Sequence, residues 1–338
     1  MRKVICLILA ALLSVSLCAC GAEQGDKKGD SEKNAKETVG VQFKENLEFK
    51  MGTGSEYGNY YSYGKVLGEY IMKYSDIEVD VRSTMGSKDN LLLLREGDCR
   101  LALAYSDICA YAWEGVRMFE SEGKINNFRT VATLYPEALQ IVTTNPDIKT
   151  VADLKGKRVG IGVPESSLYF NAVDLLNAAG ITENDIIAQH LSFSDCFNDL
   201  VEGKIDAAFV VGSAPIPAVK DMLQNGAHLV SVEEETVKCL VEDKPWFSEI
   251  VLPVGTYTEQ TEAVRTVALN VCLLVDAYAS EEVVYYLTSV ILEHSDEIKD
   301  AHTKGKELKL EAAANGTSVP YHKGAAKYFE EQSIYVET

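Results

Sequence analysis

The sequence predicts an α/β protein built as two lobes that face each other across a ligand cleft. The first observation is residues 49–74, FKMGTGSEYGNYYSYGKVLGEYIMKY, which read as a short strand, a glycine-studded turn and a helix. The second is a repeat of that order in residues 157–179, KRVGIGVPESSLYFNAVDLLNAA. The third lies downstream, where NLLLLREGDCRLALA (90–104) is matched by NDLVEGKIDAAFV (198–210), each a helix ending in Glu-Gly and then a small-residue strand. Gly54 to Gly97 is 43 positions and Gly162 to Gly203 is 41. Binding loops at the carboxyl ends of strands are where α/β sheets generally hold ligands.

The first helix shows one apolar stripe, with Tyr63, Val66, Leu67, Tyr70, Ile71 and Tyr74 at helical spacing. The turn before it aims backbone N–H groups outward at the helix start, a ready site for an anionic group. Gly52, Gly54 and Gly58 do not have the spacing of a dinucleotide fingerprint. Met once, the pattern is an ordinary strand-to-helix turn; its second copy favours a binding loop. Residues 78–82 form the next strand, followed by Ser83-Thr84-Met85-Gly86-Ser87, a hydroxyl-glycine loop in which Ser87 caps a helix, contacts ligand, or both. After a strand at 101–105, Ser106-Asp107 opens a helix through Trp113. Asp107 there either caps the helix or meets a ligand ammonium.

Residues 128–134 and 139–144 read as strands on either side of a break at Tyr135-Pro136-Glu137, taken as the first crossing between lobes. A short helix at 150–155 leads into the second glycine loop. Strands at 158–162, 186–190, 207–211 and 228–232, separated by helices, imply a parallel sheet. Gly212-Ser213-Ala214-Pro215 is placed to line the cleft, 245–256 reads as irregular, and 266–275 suits a strand returning to the first lobe. Helices at 280–293, 306–314 and 323–331 close the chain on that lobe. The expected boundaries are 46–136 plus 263–338 for lobe I and 137–262 for lobe II.

The amino terminus, MRKVICLILAALLSVSLCACGAEQ, has a basic start and an apolar stretch too short to span a bilayer comfortably. Leu17-Cys18-Ala19-Cys20 looks like a bacterial lipobox, so residues 1–19 read as a lipoprotein signal and Cys20 as the lipidated residue. A cleaved signal without lipid or an uncleaved anchor would share the apolar stretch, but the polar run that follows Cys20 favours lipidation. Residues 20–45 read as a flexible tether. The expected location is extracytoplasmic, held to the membrane by the lipid.

The net charge of −19 becomes −21 when the two positive charges of Arg2 and Lys3 leave with the signal. Such a chain is unsuited to nucleic acid, which needs a cationic surface. Beyond Cys20 stand Cys99, Cys109, Cys196, Cys239 and Cys272, at spacings that match no metal motif and in an odd number that cannot all pair internally. His190, His228, His294, His302 and His322 are scattered without ligand spacing, and there is neither a G-x-S-x-G elbow nor a P-loop. No catalytic residue, metal or cofactor is expected.

Residues after the tether resemble the TAXI family of solute-binding proteins, the extracytoplasmic receptors of TRAP transporters. The matching stretches include MGTGSEYGNYYSYGKVL, RSTMGSKDNLLLLREGDCRLALAYSDICAYAWEG, VATLYPEALQIV, VADLKGKRVGIGVPESS, VEGKIDAAF, LPVGTY and VPYHKGAAKYF. The resemblance implies a type II periplasmic-binding fold, two α/β lobes joined by a hinge, and delivery of a small carboxylated solute to TRAP permease subunits in the membrane. Amino acids such as glutamate, or organic acids, are the implied cargo, and the receptor is expected to act as a monomer. Carried across, the cleft-lining positions are Gly54, Ser55, Tyr57, Tyr60, Ser83, Ser87, Ser106, Asp107, Ser166 and Ser167. The chain departs from the family pattern at Glu56-Tyr57, at Tyr105 and at Ser167-Leu168, all in the implied pocket. If Asp107 or Glu56 faces the cleft, the ligand should bring a positive group, which favours an amino acid. The alternatives are the same fold feeding an ABC importer and, from another class, an extracytoplasmic enzyme using the cleft.

Overall fold

The computed structural model describes residues 47–56 and 58–338. The first half runs β1 (Glu48–Gly52), α1 (Asn59–Tyr74), β2 (Glu78–Arg82), α2 (Ser87–Glu96), β3 (Leu101–Tyr105) and α3 (Ser106–Glu114). A long strand β4 (Phe128–Thr143) then leads into β5 (Arg158–Gly160), α4 (Ser167–Ala178), β6 (Ile187–Gln189), α5 (Phe193–Val201) and β7 (Ala207–Gly212). Next come α6 (Pro217–Gln224), β8 (His228–Val230), α7 (Glu234–Asp243), β9 (Phe247–Leu252) and a second long strand, β10 (Val264–Asp276). Helices α8 (Glu281–Glu293), α9 (Ser295–Ala301), α10 (Leu310–Ala313) and α11 (Lys323–Glu331) finish the chain.

The sheet has the order β2-β1-β3-β10-β4-β7-β5-β6, with β8 beside β4 and β9 beside β10. Its two wings mirror each other. In one, β1 pairs in parallel with β2 and β3, and β3 lies antiparallel to β10. In the other, β5 pairs in parallel with β6 and β7, and β7 lies antiparallel to β4. The long strands β10 and β4 join the wings as an antiparallel pair along their length.

Local chemistry explains the close packing. A Cβ on Gly52 would sit 2.7 Å from Asn90 Oδ1 on α2, and one on Gly160 would sit 2.6 Å from Cys196 Sγ on α5. Glycine at the same place in each β-α-β unit therefore lets the later helix lie against the first strand. On α1, Tyr63, Leu67 and Ile71 are wholly buried against the sheet, joined by Val79, Val283 and Leu287 in one core. A second core on the other face runs through both wings, from Leu94 and Tyr111 to Leu175 and Trp246. A third, around Phe197, Val219 and Met222, covers the remaining face of the second wing.

Four expectations are corrected. Tyr135-Pro136-Glu137 is not a break, because β4 continues through it with Pro136 opposite Asn270. Proline is tolerated there beside an irregularity between Val271 and Cys272, where the regular ladder is already interrupted. The stretch read as irregular at 245–256 contains β9, an edge strand whose inner positions Ser248 and Glu249 hide its apolar ends. The second wing is not wholly parallel, since β8 lies antiparallel to β4. The helix expected at 306–314 is a 3-10 turn at Thr303–Glu307 followed by the one-turn α10, because Gly305 packs where a Cβ would lie 2.5 Å from the Ile298 carbonyl.

Candidate functional site

A pocket of about 540 Å³ opens where the starts of α1, α2 and α4 approach β4. Gly54, Ser55, Gly58 and Tyr60 line it from the first loop, and Gly86, Ser87 and Lys88 from the second. Tyr105 and Glu137 form its polar floor, Ile108 and Met118 add apolar wall, and Glu165 and Ser167 reach it from the second wing.

The loops are held by one buried side chain. Asn90 donates from Nδ2 to the carbonyls of Thr53 and Leu103, each at 2.6 Å, and accepts from Thr84 Oγ1 at 2.7 Å. Thr84 Oγ1 also lies 3.0 Å from the Thr53 carbonyl, and Thr53 Oγ1 donates to the Arg82 carbonyl at 2.6 Å. The backbone of both loops is thus pinned before any ligand arrives, which lowers the ordering cost of binding. The helices that leave these loops start on glycines: Gly58 and Gly86 stand at the N-caps of α1 and α2, with no side-chain cap bond at either. First-turn residues of both helices, Asn59 and Tyr60 of α1 and Ser87 and Lys88 of α2, line the pocket, and a helix start suits an anion.

Side-chain hydroxyls continue the lining. Ser87 Oγ accepts from the Tyr105 amide at 3.1 Å and shares a hydrogen bond with Tyr60 Oη at 3.3 Å. Ser87 is therefore a pocket residue, and the N-cap position falls on Gly86. The Tyr60 and Tyr105 rings meet edge to face at 5.5 Å. The Tyr105 hydroxyl donates to Glu137 Oε2, and Ser213 donates to Glu137 Oε1 at 3.1 Å. Burial, then the charge of Glu137, pushes the Tyr105 phenol well above its ordinary value; burial and the neighbouring phenols do the same for Tyr60. Both stay neutral donors.

The other expected residues are spread more widely. Asp107 is fully buried one layer behind the pocket wall, where Oδ2 accepts from Ser167 Oγ at 2.6 Å and Asn171 Nδ2 at 3.1 Å. Its Oδ1 has no hydrogen-bond partner, and burial raises its carboxyl above the ordinary range. Ser167 thus lines the pocket while bonding Asp107. Ser106 is buried and spends its hydroxyl on the Trp246 carbonyl at 2.8 Å and the Asn270 amide at 3.1 Å, tying α3 to the crossing strand. Ser166 caps α4, accepting from the Tyr169 amide at 3.1 Å. Ser83 and Glu56 are exposed and outside the pocket lining. Tyr57 and Cys20 lie outside the described residues. Two residues that sequence reasoning passed over are central here. Glu137 was hidden inside an apparent break, and Asn90 appeared as the polar start of a leucine run.

Solved structures share this architecture. PhnD1 from Prochlorococcus marinus, in complex with methylphosphonate, superposes with a TM-score of 0.50 at 14% identity, over 78% of this chain and 92% of that one. The periplasmic aliphatic sulphonate binding protein SsuA from Escherichia coli matches with a TM-score of 0.48 at 18% identity, over 85% and 90% of the two chains. The substrate binding protein of an amino acid ABC transporter matches with a TM-score of 0.41 at 14% identity, over 75% and 96%. The architecture is the two-lobed α/β periplasmic-binding fold, its wings being the lobes and β4 and β10 the strands that cross between them. Residues 51–333 match the NMT1-like family, and the chain belongs to it.

Proposed function

We propose that this protein is an extracytoplasmic receptor that captures a small carboxylated solute, an amino acid or organic acid, and delivers it to a membrane importer. The observation that carries the reading is the pocket itself, in which two uncapped helix starts meet buried hydroxyls and a buried acid at the junction of two lobes. A carboxylate would take the amides at the starts of α1 and α2 and the hydroxyls of Ser55, Ser87 and Ser167. Tyr60 and Tyr105 would cover the aliphatic part. We assign residues 46–136 with 263–338 to lobe I and 137–262 to lobe II, and read the fold as closing on its cargo rather than catalysing a reaction. We place Cys20 as the lipid anchor.

Two importers fit. An ATP-driven partner stands at least level, since the binding protein of an amino acid ABC transporter is among the solved proteins of this architecture. A TRAP permease, with TAXI membership inside the NMT1-like family, is supported by the loop and strand stretches quoted above. The test has two arms. Purified protein is screened against amino acids, organic acids, sulfonates and phosphonates by thermal shift, and a solute that raises the melting temperature should be recovered unchanged. Uptake is then measured in vesicles holding the candidate permease: dependence on ATP selects the ABC reading, and dependence on an ion gradient selects TRAP. A solute that is consumed on incubation would replace the receptor by an enzyme.

A further inference from the structure

Glu137 has a role that the carboxylate reading leaves unused. Its side chain lies in the pocket floor at 6% exposure, on the strand that crosses between the lobes. The two donors that reach it are neutral hydroxyls, Tyr105 from lobe I and Ser213 from the loop after β7. Among the described residues no Lys or Arg forms an ion pair with it. Two lysines lie in its neighbourhood, neither at ion-pair distance from it. Lys88, on the pocket wall, donates to the Met118 carbonyl at 2.7 Å and pairs with Glu122 at 2.9 Å. Lys304 lies over the Tyr135 ring at 5.7 Å, lines a separate cavity with Pro136 and Glu307, and feels the Glu137 charge only from beyond ion-pair distance. A buried acid without a paired cation is costly unless something else supplies the charge.

The same pocket carries the opposite preference at its other end. The uncapped starts of α1 and α2 favour a negative group, while the Glu137 end favours a positive one. The Tyr105 residue spans the two ends, its amide bonded to Ser87 and its hydroxyl to Glu137. Edge-to-face Tyr60 adds an aromatic surface beside it, a lining that accepts an ammonium group.

Resting on the receptor reading, we infer that Glu137 recognises the ammonium group of the captured solute, so that the ligand is a zwitterionic amino acid and not a plain carboxylate. Of its two donors Tyr105 comes from lobe I, while Ser213 follows β7, the strand paired beside β4 within lobe II. Asp107, the sequence-based candidate for the role, lies behind the wall and outside the pocket lining, with Oδ2 accepting from Ser167 and Asn171.

The test is isothermal titration of the purified full chain with L-amino acids, each paired with its 2-hydroxy and deaminated acid, and with methylphosphonate and alkanesulfonates as anion-only probes. Wild type should prefer the amino acid over its deaminated counterpart by about tenfold to a hundredfold, the worth of a hydrogen bond to a charged group. Glu137→Gln keeps the shape and should abolish that preference. Tyr105→Phe, which leaves the carboxylate, should keep it; this variant serves if Glu137→Gln does not fold. Equal binding of deaminated acids to wild type, binding of anion-only probes alone, or a preference that survives in Glu137→Gln overturns the inference and leaves the receptor standing. If no solute of any class binds wild type, the receptor reading itself falls and this inference with it.

Discussion

Breaking the Arg117–Asp174 pair tests how the lobes are held together. Arg117, just after α3, donates to both carboxylate oxygens of Asp174 on α4, at 2.9 and 2.7 Å. Its guanidinium also stacks over Tyr111 at 4.5 Å and Phe170 at 4.8 Å and hydrogen-bonds the Tyr111 hydroxyl. The Asp174 side chain is 6% exposed and that of Arg117 23%. Removing one member of a fully buried pair costs about 3–5 kcal/mol, because the other charge is left desolvated. The residual exposure of Arg117 lets water reach an orphaned charge, which pulls the expected cost down to about 2–3 kcal/mol. The lost cation–π contacts add about 0.5–1 kcal/mol. Relief at Arg117, whose φ of 55° is unfavourable for a residue with a Cβ, is not gained in Arg117→Ala, which keeps the Cβ.

Arg117→Ala should therefore lose about 3 kcal/mol in urea unfolding, and Asp174→Asn about 2 kcal/mol. The double variant should lose roughly 1–2 kcal/mol less than the sum, since the second removal finds no partner to orphan. At this chain length 1 kcal/mol moves the melting temperature by about 2 °C, so Arg117→Ala should melt about 6 °C lower. Single losses below about 1 kcal/mol, or additive singles, would refute the reasoning and show that packing alone holds α3 to α4.

Four further outcomes follow from other parts of the molecule. Asn90→Leu should destabilise by about 2–4 kcal/mol in chemical unfolding, because the Thr53 and Leu103 carbonyls lose their buried donor; a variant as stable as wild type would remove Asn90 as the brace of the loops. For Asp107, burial raises the folded carboxyl above its unfolded value, so its stabilising contribution is largest at low pH and is lost as pH rises through the folded value. Asp107→Asn keeps an acceptor for Ser167 and lacks this titration, so its stability relative to wild type should improve as pH goes from about 4 to 7, and a flat difference would contradict it. Saturating ligand should lower the radius of gyration in solution scattering, as hinge closure requires, and superimposable profiles count against closure. Mass spectrometry of the mature protein should find Cys20 at the amino terminus carrying more than one acyl chain, since a single chain anchors only marginally; an unmodified Cys20 ends that reading.

What the sequence made legible was whatever depends on local pattern. The stripe on α1, the Glu-Gly helix ends and the strands at 78–82 and 101–105 follow from periodicity and from glycine, and they appear in the structure where periodicity placed them. Gly97 and Gly203 both adopt positive φ, as helix ends of this kind demand. Interactions between distant segments left less trace. Proline in β4 reads as a break because a strand interior normally needs its N–H; Pro136 is accommodated beside a bulge in β4 itself, where Leu134 is skipped between the partners of Val271 and Cys272, and that pairing with β10 joins residues more than a hundred positions apart. Glu137 was lost with it. Ser83, Ser106 and Ser166 illustrate the converse. A serine in a loop at a strand end looks the same whether its hydroxyl faces ligand, a crossing strand or its own helix.

The mirrored wings carry the remaining argument. Each lobe has the same β-α-β order, the same close glycine under its later helix and a glycine loop at the end of its first strand. Equal loops would suggest an equal clasp, but the pocket is not shared equally. Lobe I supplies both walls and Tyr105, the crossing strand supplies Glu137, and the α4 loop of lobe II contributes Glu165 and Ser167. The chemistry of the helix starts accounts for the difference. The α1 and α2 starts carry no side-chain cap and leave their amides available, whereas Ser166 occupies the corresponding amide of α4. The second copy thus has one first-turn amide already satisfied, and it is tied to lobe I through Ser167–Asp107 and Arg117–Asp174. On the proposed reading such an arrangement would separate tasks: lobe I would fix where the carboxylate sits, Glu137 on the crossing strand would select what accompanies it, and lobe II would close over both.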